Sequence, residues 1–317
     1  MPNENIKKLN RDLCEDERFR VRRKPEVKRE FFNYIKEYMS ERGISGRADG
    51  GFEKTTNLIF GDEKKAEVLL TAHYDTSKSG LTMPPVFVTN RAGIIGDIAV
   101  MSCIIAFVIA GTTLSGVFLG WPYAALFFAT CGVYTAFSFI FDNKFNFNDN
   151  TSGCIALLDV ADRLSKSNPE LFEKICFVFF DDEENGTLGS KKLKKRLIAE
   201  SGRAEYSKKI LLNFDCVGGR DKDICIYTHN QDGLSVANEI KAVAPKDAVI
   251  SVYKTPLLPT DSMPFSDIRA VTFISTSKSA IKALTKLSDT HSKNDNFLDE
   301  AMIDFYATIA TEYLNKI

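Results

Sequence analysis

From Ile98 to Phe141 the chain carries no charged residue, and this block constrains what the rest can build. It is interrupted once, at Leu119-Gly120-Trp121-Pro122-Tyr123, where glycine and proline end one helix and allow another to start. Two apolar segments remain, about 98–119 and 122–141, each of about 20 residues and so long enough to cross roughly 30 Å of hydrocarbon. Hydrocarbon offers backbone groups no hydrogen bonds, so such segments must be helical. Helices apolar on every face have no polar side to give to water. The expectation is a transmembrane helical hairpin, with lipid as its partner through residues 98–141. Trp121 and Tyr123 suit the interfacial belt, and Gly111, Gly116, Ala124, Ala125 and Gly132 would let the two backbones come close. A pair of core helices in a soluble protein is the competing reading.

Both flanks read as a soluble α/β domain. Over 25–42, Pro25 opens a helix, Val27, Phe31, Tyr34, Ile35 and Tyr38 recur at helical spacing, and Gly43 stops it. Strand-like apolar runs follow at 55–60, 66–73, 174–180, 209–215, 223–228, 247–253 and 270–275. Helical runs at Ile155 to Ser165, Leu188 to Glu200 and Leu298 to Leu314 lie between some of them or close the chain. Continuous apolar strands alternating with helices predict a mainly parallel central sheet flanked by helices. Residues 1–80 and 145–317 would then form one discontinuous domain, with 81–144 inserted.

The balance of 41 basic and 42 acidic residues leaves no electrostatic footprint for nucleic acid. Seven cysteines, an odd number without a CxxC pair, read as free thiols in a reducing compartment. The first 25 residues are charged throughout and do not read as a secretory signal. Lys78 and Arg91 precede the hairpin, Lys144 follows it, and its turn has no basic residue. This bias puts the folded domain on the cytoplasmic side of an inner or plasma membrane.

In sheets of this kind ligands gather at the carboxyl ends of the strands. After "EVLLTA" come His73 and Asp75, after "ICFVFF" come Asp181, Asp182, Glu183 and Glu184, and after "ILLNF" comes Asp215. Asp149 stands before a helix and His291 in a loop before the last helix. Of only three histidines, two fall in this set. Four adjacent carboxylates need positive charge nearby. Two imidazoles and three carboxylates on one rim suit a pair of zinc ions, or other divalent ions, sharing one carboxylate.

"HYD", "NDNTSG", "FFDDEENGTLGS", "NFDCVGG" and "THSKNDN", spanning residues 73 to 296, occur in the order seen in the co-catalytic di-zinc aminopeptidases of metallopeptidase family 28, which the chain resembles. The resemblance implies the phosphorylase/hydrolase-like exopeptidase fold and a peptide substrate. It implies that Asp149 bridges two zinc ions, that His73 and Asp215 complete one site, and that Glu184 and His291 complete the other. It also implies that Glu183 is the general base and that Asp75 orients the His73 ring. The chemistry needs these types: a metal pair lowers the pKa of bound water from about 15.7 to about 7, giving a bridged hydroxide at neutral pH. A free carboxylate beside it can carry the proton to the leaving amine. Adjacent residues of an extended segment face opposite ways, so one of Glu183 and Glu184 serves metal and the other substrate; only the resemblance gives their order.

The site does not fix which end of the substrate is held, so a carboxypeptidase or another amide hydrolase stands as the alternative, with Arg269 a conceivable carboxylate clamp. Glutaminyl cyclases share the fold but resemble single-zinc variants, and the full two-metal set argues against them. A catalytically inactive membrane scaffold would show a missing ligand or base, and none is missing. Asp181 and Asp182 read as turn and capping groups, Asn148, Asn150, Thr151 and Ser152 as a helix-capping run, and His229 as a loop residue.

Overall fold

The computed structural model describes residues 3–78, 91–140, 142–220, 223–254, 259–278, 285–287 and 290–317. In chain order the elements begin with α1 (Glu4–Asn10), α2 (Pro25–Ser40), β1 (Gly46–Ala48), β2 (Leu58–Phe60) and β3 (Val68–His73). The two long helices α3 (Arg91–Leu119) and α4 (Trp121–Ile140) follow, then α5 (Gly153–Ser167), α6 (Pro169–Phe172) and β4 (Ile175–Phe180). Next come α7 (Leu188–Tyr206), β5 (Ile210–Phe214), β6 (Asp223–Thr228), α8 (Gln231–Val243) and β7 (Ile250–Lys254). β8 (Arg269–Lys278), β9 (Thr285–Leu287) and α9 (Glu300–Leu314) complete the chain. Local chemistry sets several boundaries. Pro25 opens α2, and the side chains of Asn3 and Asp299 accept the first free amides of α1 and α9.

The described strands form one sheet in the order β1-β2-β4-β3-β5-β8-β6-β7, with β9 on β8. Its centre, β4-β3-β5-β8, is parallel as expected. The flanks bring in antiparallel pairs, β1 with β2, β2 with β4, β6 with β8, and β9 with β8, while β7 runs parallel to β6. A parallel crossover needs a dozen or more residues, and the short connections from β1 to β2 and from β5 to β6 are too short for one. Alternate strand residues serve two layers. Val68, Leu70, Ala72, Phe177, Phe179 and Leu212 pack into the larger core with α1, α2, α5, α8 and α9. Leu69, Cys176, Val178, Phe180 and Leu211 pack against Leu193, Leu197 and Tyr206 of α7. β4, which follows the two long helices in sequence, lies between β2 and β3, and the ends of β3, β4 and β5 that carry the polar residues line up.

The uncharged block forms two consecutive helices joined at Gly120, whose φ of 94° is the left-handed turn that glycine allows. α3 starts earlier than the apolar pattern suggested, at Arg91, and takes in Asp97. One helix among the described residues, Ile98–Leu119, is long and apolar enough to cross a membrane by length and composition, where two were expected. The two helices pack on each other. A Cβ at Gly111 would collide with Phe127, and the Phe107 and Phe127 rings lie 5.9 Å apart. Gly132, expected in this contact, has nothing within 4 Å of its Cβ position. The root is stitched to the domain: Ser77 Oγ donates to Asn146 Oδ1 at 3.2 Å, Asn146 Nδ2 donates to the Arg20 carbonyl at 2.9 Å, and Arg23 pairs with Asp142.

Candidate metal centre

Parallel register brings the polar strand ends together. His73 ends β3 opposite Phe180, the last residue of β4, and the pairing of Thr71 with Asn213 carries Asp215 to the level of His73. The five residues expected as ligands converge in two groups, His73, Asp149 and Asp215 in one and Asp149, Glu184 and His291 in the other. Within each group one donor atom per residue lies within 4.8 Å of the others. Asp149 belongs to both. Its Oδ1 is 3.2 Å from His73 Nε2 and its Oδ2 is 2.9 Å from His291 Nε2. Asp215 Oδ1 lies 3.9 Å from His73 Nε2, and Glu184 Oε2 lies 3.2 Å from His291 Nε2.

Asp75 lies behind His73. Its Oδ1 is 3.4 Å from His73 Nδ1 and accepts the Glu183 amide at 3.1 Å, while Oδ2 accepts the Glu184 amide at 3.2 Å. It thus holds the loop of the two glutamates as well as facing the ring. The residues beside Asp149 tie its segment to the Asp215 loop. Asn150 Oδ1 accepts the Gly153 and Cys216 amides, both at 3.1 Å, and Asn148 Oδ1 accepts the Gly218 amide at 2.8 Å. Of the run expected to cap a helix, Asn150 accepts the first amide of α5, whereas Asn148 binds the Asp215 loop and the Ser152 hydroxyl. The four non-glycine residues with left-handed φ among the described residues are Asp182, Thr187, Cys216 and His291, each in a loop that carries or flanks the centre. Such conformations persist where surrounding contacts over-determine them.

The electrostatics suit cations. Burial works against charge on both imidazoles, yet the Asp149 and Asp75 contacts and Glu183 raise His73 well above its ordinary range, and Glu184 and Asp149 raise His291. Burial alone would raise Asp149, and the two imidazoles lower it instead. Burial raises Glu183, Glu184 and Asp215, with their carboxylate neighbours adding to it. Imidazoles and carboxylates are thus crowded together with opposing shifts, an arrangement that a divalent ion among them would relieve. The donor set fits zinc: imidazole nitrogen and carboxylate oxygen, with Glu184 Oε1 buried and without a hydrogen-bond partner.

The four adjacent carboxylates have more than one source of positive charge, which corrects the expectation of a metal pair for all of them. Asp181 is fully buried and bound at 2.5 Å by the Lys28 ammonium of α2, and its Oδ2 accepts the Thr56 amide at 2.9 Å. Asp182 accepts from Thr55 and Asn185. Arg269 begins β8 opposite Ile210, at the end of the sheet away from Asp215, and donates to the Lys208 carbonyl, so it is no clamp at this centre. His229 lies outside both groups, its Nε2 3.2 Å from Ser262 Oγ.

Three residues escaped the sequence reading. Lys28 sits with other charged residues in an amphipathic helix, with no local sign of burial. Asp295 accepts the Asn148 amide at 2.6 Å and the Asp149 amide at 3.0 Å; its spacing four residues after His291 was the available signal. Asp261 is fully buried, and burial pushes its carboxyl up to about 7, with His73 opposing; its field acts on Glu183 ahead of those of Asp215 and Glu184.

Solved structures share this architecture. A glutaminyl cyclase of Bacteroides thetaiotaomicron bound to N-acetylhistamine superimposes with a TM-score of 0.63 over 100% of both chains at 13% identity. A Zn-dependent exopeptidase of Parabacteroides distasonis gives 0.60 over 99% of this chain and 98% of the other at 14% identity. The LapA aminopeptidase of Legionella pneumophila gives 0.56 over 98% and 73% at 14% identity. At such identities these likenesses establish the fold alone. No curated protein sequence matches the chain. Residues 141–310, more than half of the chain and including Asp149, Glu183, Glu184, Asp215 and His291, match the family model described as Peptidase family M28, so the chain belongs to peptidase family M28.

Proposed function

We propose that this protein is a membrane-anchored metallo-exopeptidase that removes amino-terminal residues from peptides. The observation that carries the reading is the pair of ligand groups sharing Asp149, with the Glu183 carboxyl beside them. His73 and Asp215 would hold one divalent ion, Glu184 and His291 the other, and Asp149 both, with zinc the best match to the donors. When bound, such a pair supplies Lewis acidity and lowers the pKa of water. Glu183 takes the proton of the attacking water and returns it to the departing amine, a role open to a carboxylate that stands beside the ligand groups without belonging to either. Asp75 fixes the Glu183 and Glu184 amides and faces His73 Nδ1, so ligand and base keep one geometry. A cavity of about 330 Å³ lined by Asp75, Lys78, Glu184, Asn185 and His291 is the room for substrate.

The same reading makes residues 1–80 and 145–317 the catalytic domain and 81–144 an insertion that anchors it, with the domain facing the cytoplasm. The exposed apolar side chains of both helices support this, Phe118 at 75% and Trp121 at 78% among them. Lys78, Arg91 and Lys144 at the connections supply the orientation bias.

The test uses detergent-solubilised protein on peptide amides with free or blocked amino termini, with and without chelator. Chelator-sensitive release of the first residue from free peptides alone is expected. Release from the carboxyl end would favour the carboxypeptidase alternative. Loss of ammonia from amino-terminal glutamine without shortening would identify a cyclase instead.

A further inference from the structure

Between the hairpin root and α5 the backbone leaves regular structure: Asp149 has φ −109° and ψ 96°, and Asn150 φ −129° and ψ 44°. Amides in such a segment have no helical or sheet acceptor, yet this one is buried, so each needs a partner from elsewhere. Three consecutive amides find the same residue. Phe147 N donates to the Asp295 carbonyl at 3.3 Å, Asn148 N to Asp295 Oδ1 at 2.6 Å, and Asp149 N to Asp295 Oδ2 at 3.0 Å. Asp295 is 2% exposed and its own amide donates to the Ser292 carbonyl at 3.1 Å, one residue past His291. A single carboxylate thus joins the loop of Asp149 to the loop of His291, 146 residues apart in sequence from the amide it fixes.

We infer that Asp295 is a positioning residue that locks the bridging carboxylate and the His291 loop into one unit, so that the two metal sites fill cooperatively. The inference rests on the ligand assignment proposed above. A carboxyl group suits the task because it offers one oxygen to each of the two adjacent amides. An amide in its place has one acceptor and turns an NH2 group towards a backbone N–H. Fixing Asp149 with Oδ1 opposite His73 also fixes its Oδ2 opposite His291, so the residue common to both groups would serve two ions in one geometry. Asp295 itself belongs to neither ligand group, its carboxylate being engaged by two backbone amides.

The test is zinc titration of the solubilised full-length protein against a competing chelator, comparing wild type with Asp295→Asn. Wild type should take up two ions with the second bound at least as tightly as the first. The variant should keep one ion and bind the second roughly 10- to 100-fold more weakly, the usual effect of losing an outer partner of a ligand. Two ions bound equally well by both proteins would overturn the inference. Wild type binding no more than one ion would overturn the ligand assignment, and the inference with it. If the variant does not fold, amide hydrogen exchange on wild type decides. Peptides covering 147–150 and 291–296 should gain protection together at one zinc ratio, and separate protection would refute the coupling.

Discussion

Replacing Lys28 with methionine keeps the apolar stem of the side chain and removes the cation that touches Asp181. Both partners are deep, Lys28 at 6% exposure and Asp181 at 0%, and they meet at 2.5 Å. A contact this short would ordinarily lower a carboxyl pKa, but burial and the nearby Asp75 raise Asp181 to about 6. Desolvation outweighs the attraction, so the pair is costly to break and not strongly stabilising to keep. Removing one member of a buried pair costs about 3–5 kcal/mol, whereas replacing both by apolar residues is often neutral or better. For a chain of this size, about 3 kcal/mol lowers the unfolding midpoint by on the order of 5 °C.

The pH dependence follows from the same group. A carboxyl whose folded pKa is raised binds more protons folded than unfolded, so its contribution to stability falls as pH rises from about 4 through 6. Without Lys28 the window moves higher. The deficit of Lys28→Met relative to wild type should therefore be largest near pH 8 and shrink as the pH falls through 6. Thermal unfolding by circular dichroism of metal-free protein at several pH values measures it. The reasoning fails if Lys28→Met costs less than about 1 kcal/mol, if its deficit does not change with pH, or if Lys28→Met/Asp181→Leu is as unstable as the single variant.

Metal analysis after zinc saturation should return two ions per chain; one or fewer would count against the shared Asp149. Glu183→Gln should retain both ions and lose roughly 100- to 10,000-fold in turnover, whereas a metal-free variant would mean that the two glutamates have exchanged roles. Replacing 79–141 by a short polar linker should give a soluble domain that binds metal and still cleaves small chromogenic amides, measured by fractionation and by rate. Extending that deletion through Asn146 should cripple the domain, because Asn146 joins Ser77 to the Arg20 segment; equal activity of the two deletions would show the root to be dispensable.

The strands, the uncharged helices and the polar residues at the strand ends could be read directly because each is written in neighbouring residues. Apolar runs stopped by a charge mark where a strand leaves the core, and parallel strands bring those stops to one rim. His73, Glu183, Glu184 and Asp215 follow strands and stood out for this reason, whereas Asp149 and His291 follow none and stood out through the motif order. The partners of buried charge did not stand out. Lys28 meets Asp181 across 153 positions and Asp295 meets the Asp149 amide across 146, and neither leaves a periodic trace in its own segment. Arg269 could be assigned an end of the sheet only once the register of β8 on β5 was known, since a strand's sequence does not say which of its neighbours it joins. Which residues reach the rim was thus settled locally by the sequence. What holds them there was decided by tertiary packing, because a buried charge or a free amide takes whatever partner the fold brings within about 3 Å, irrespective of distance along the chain.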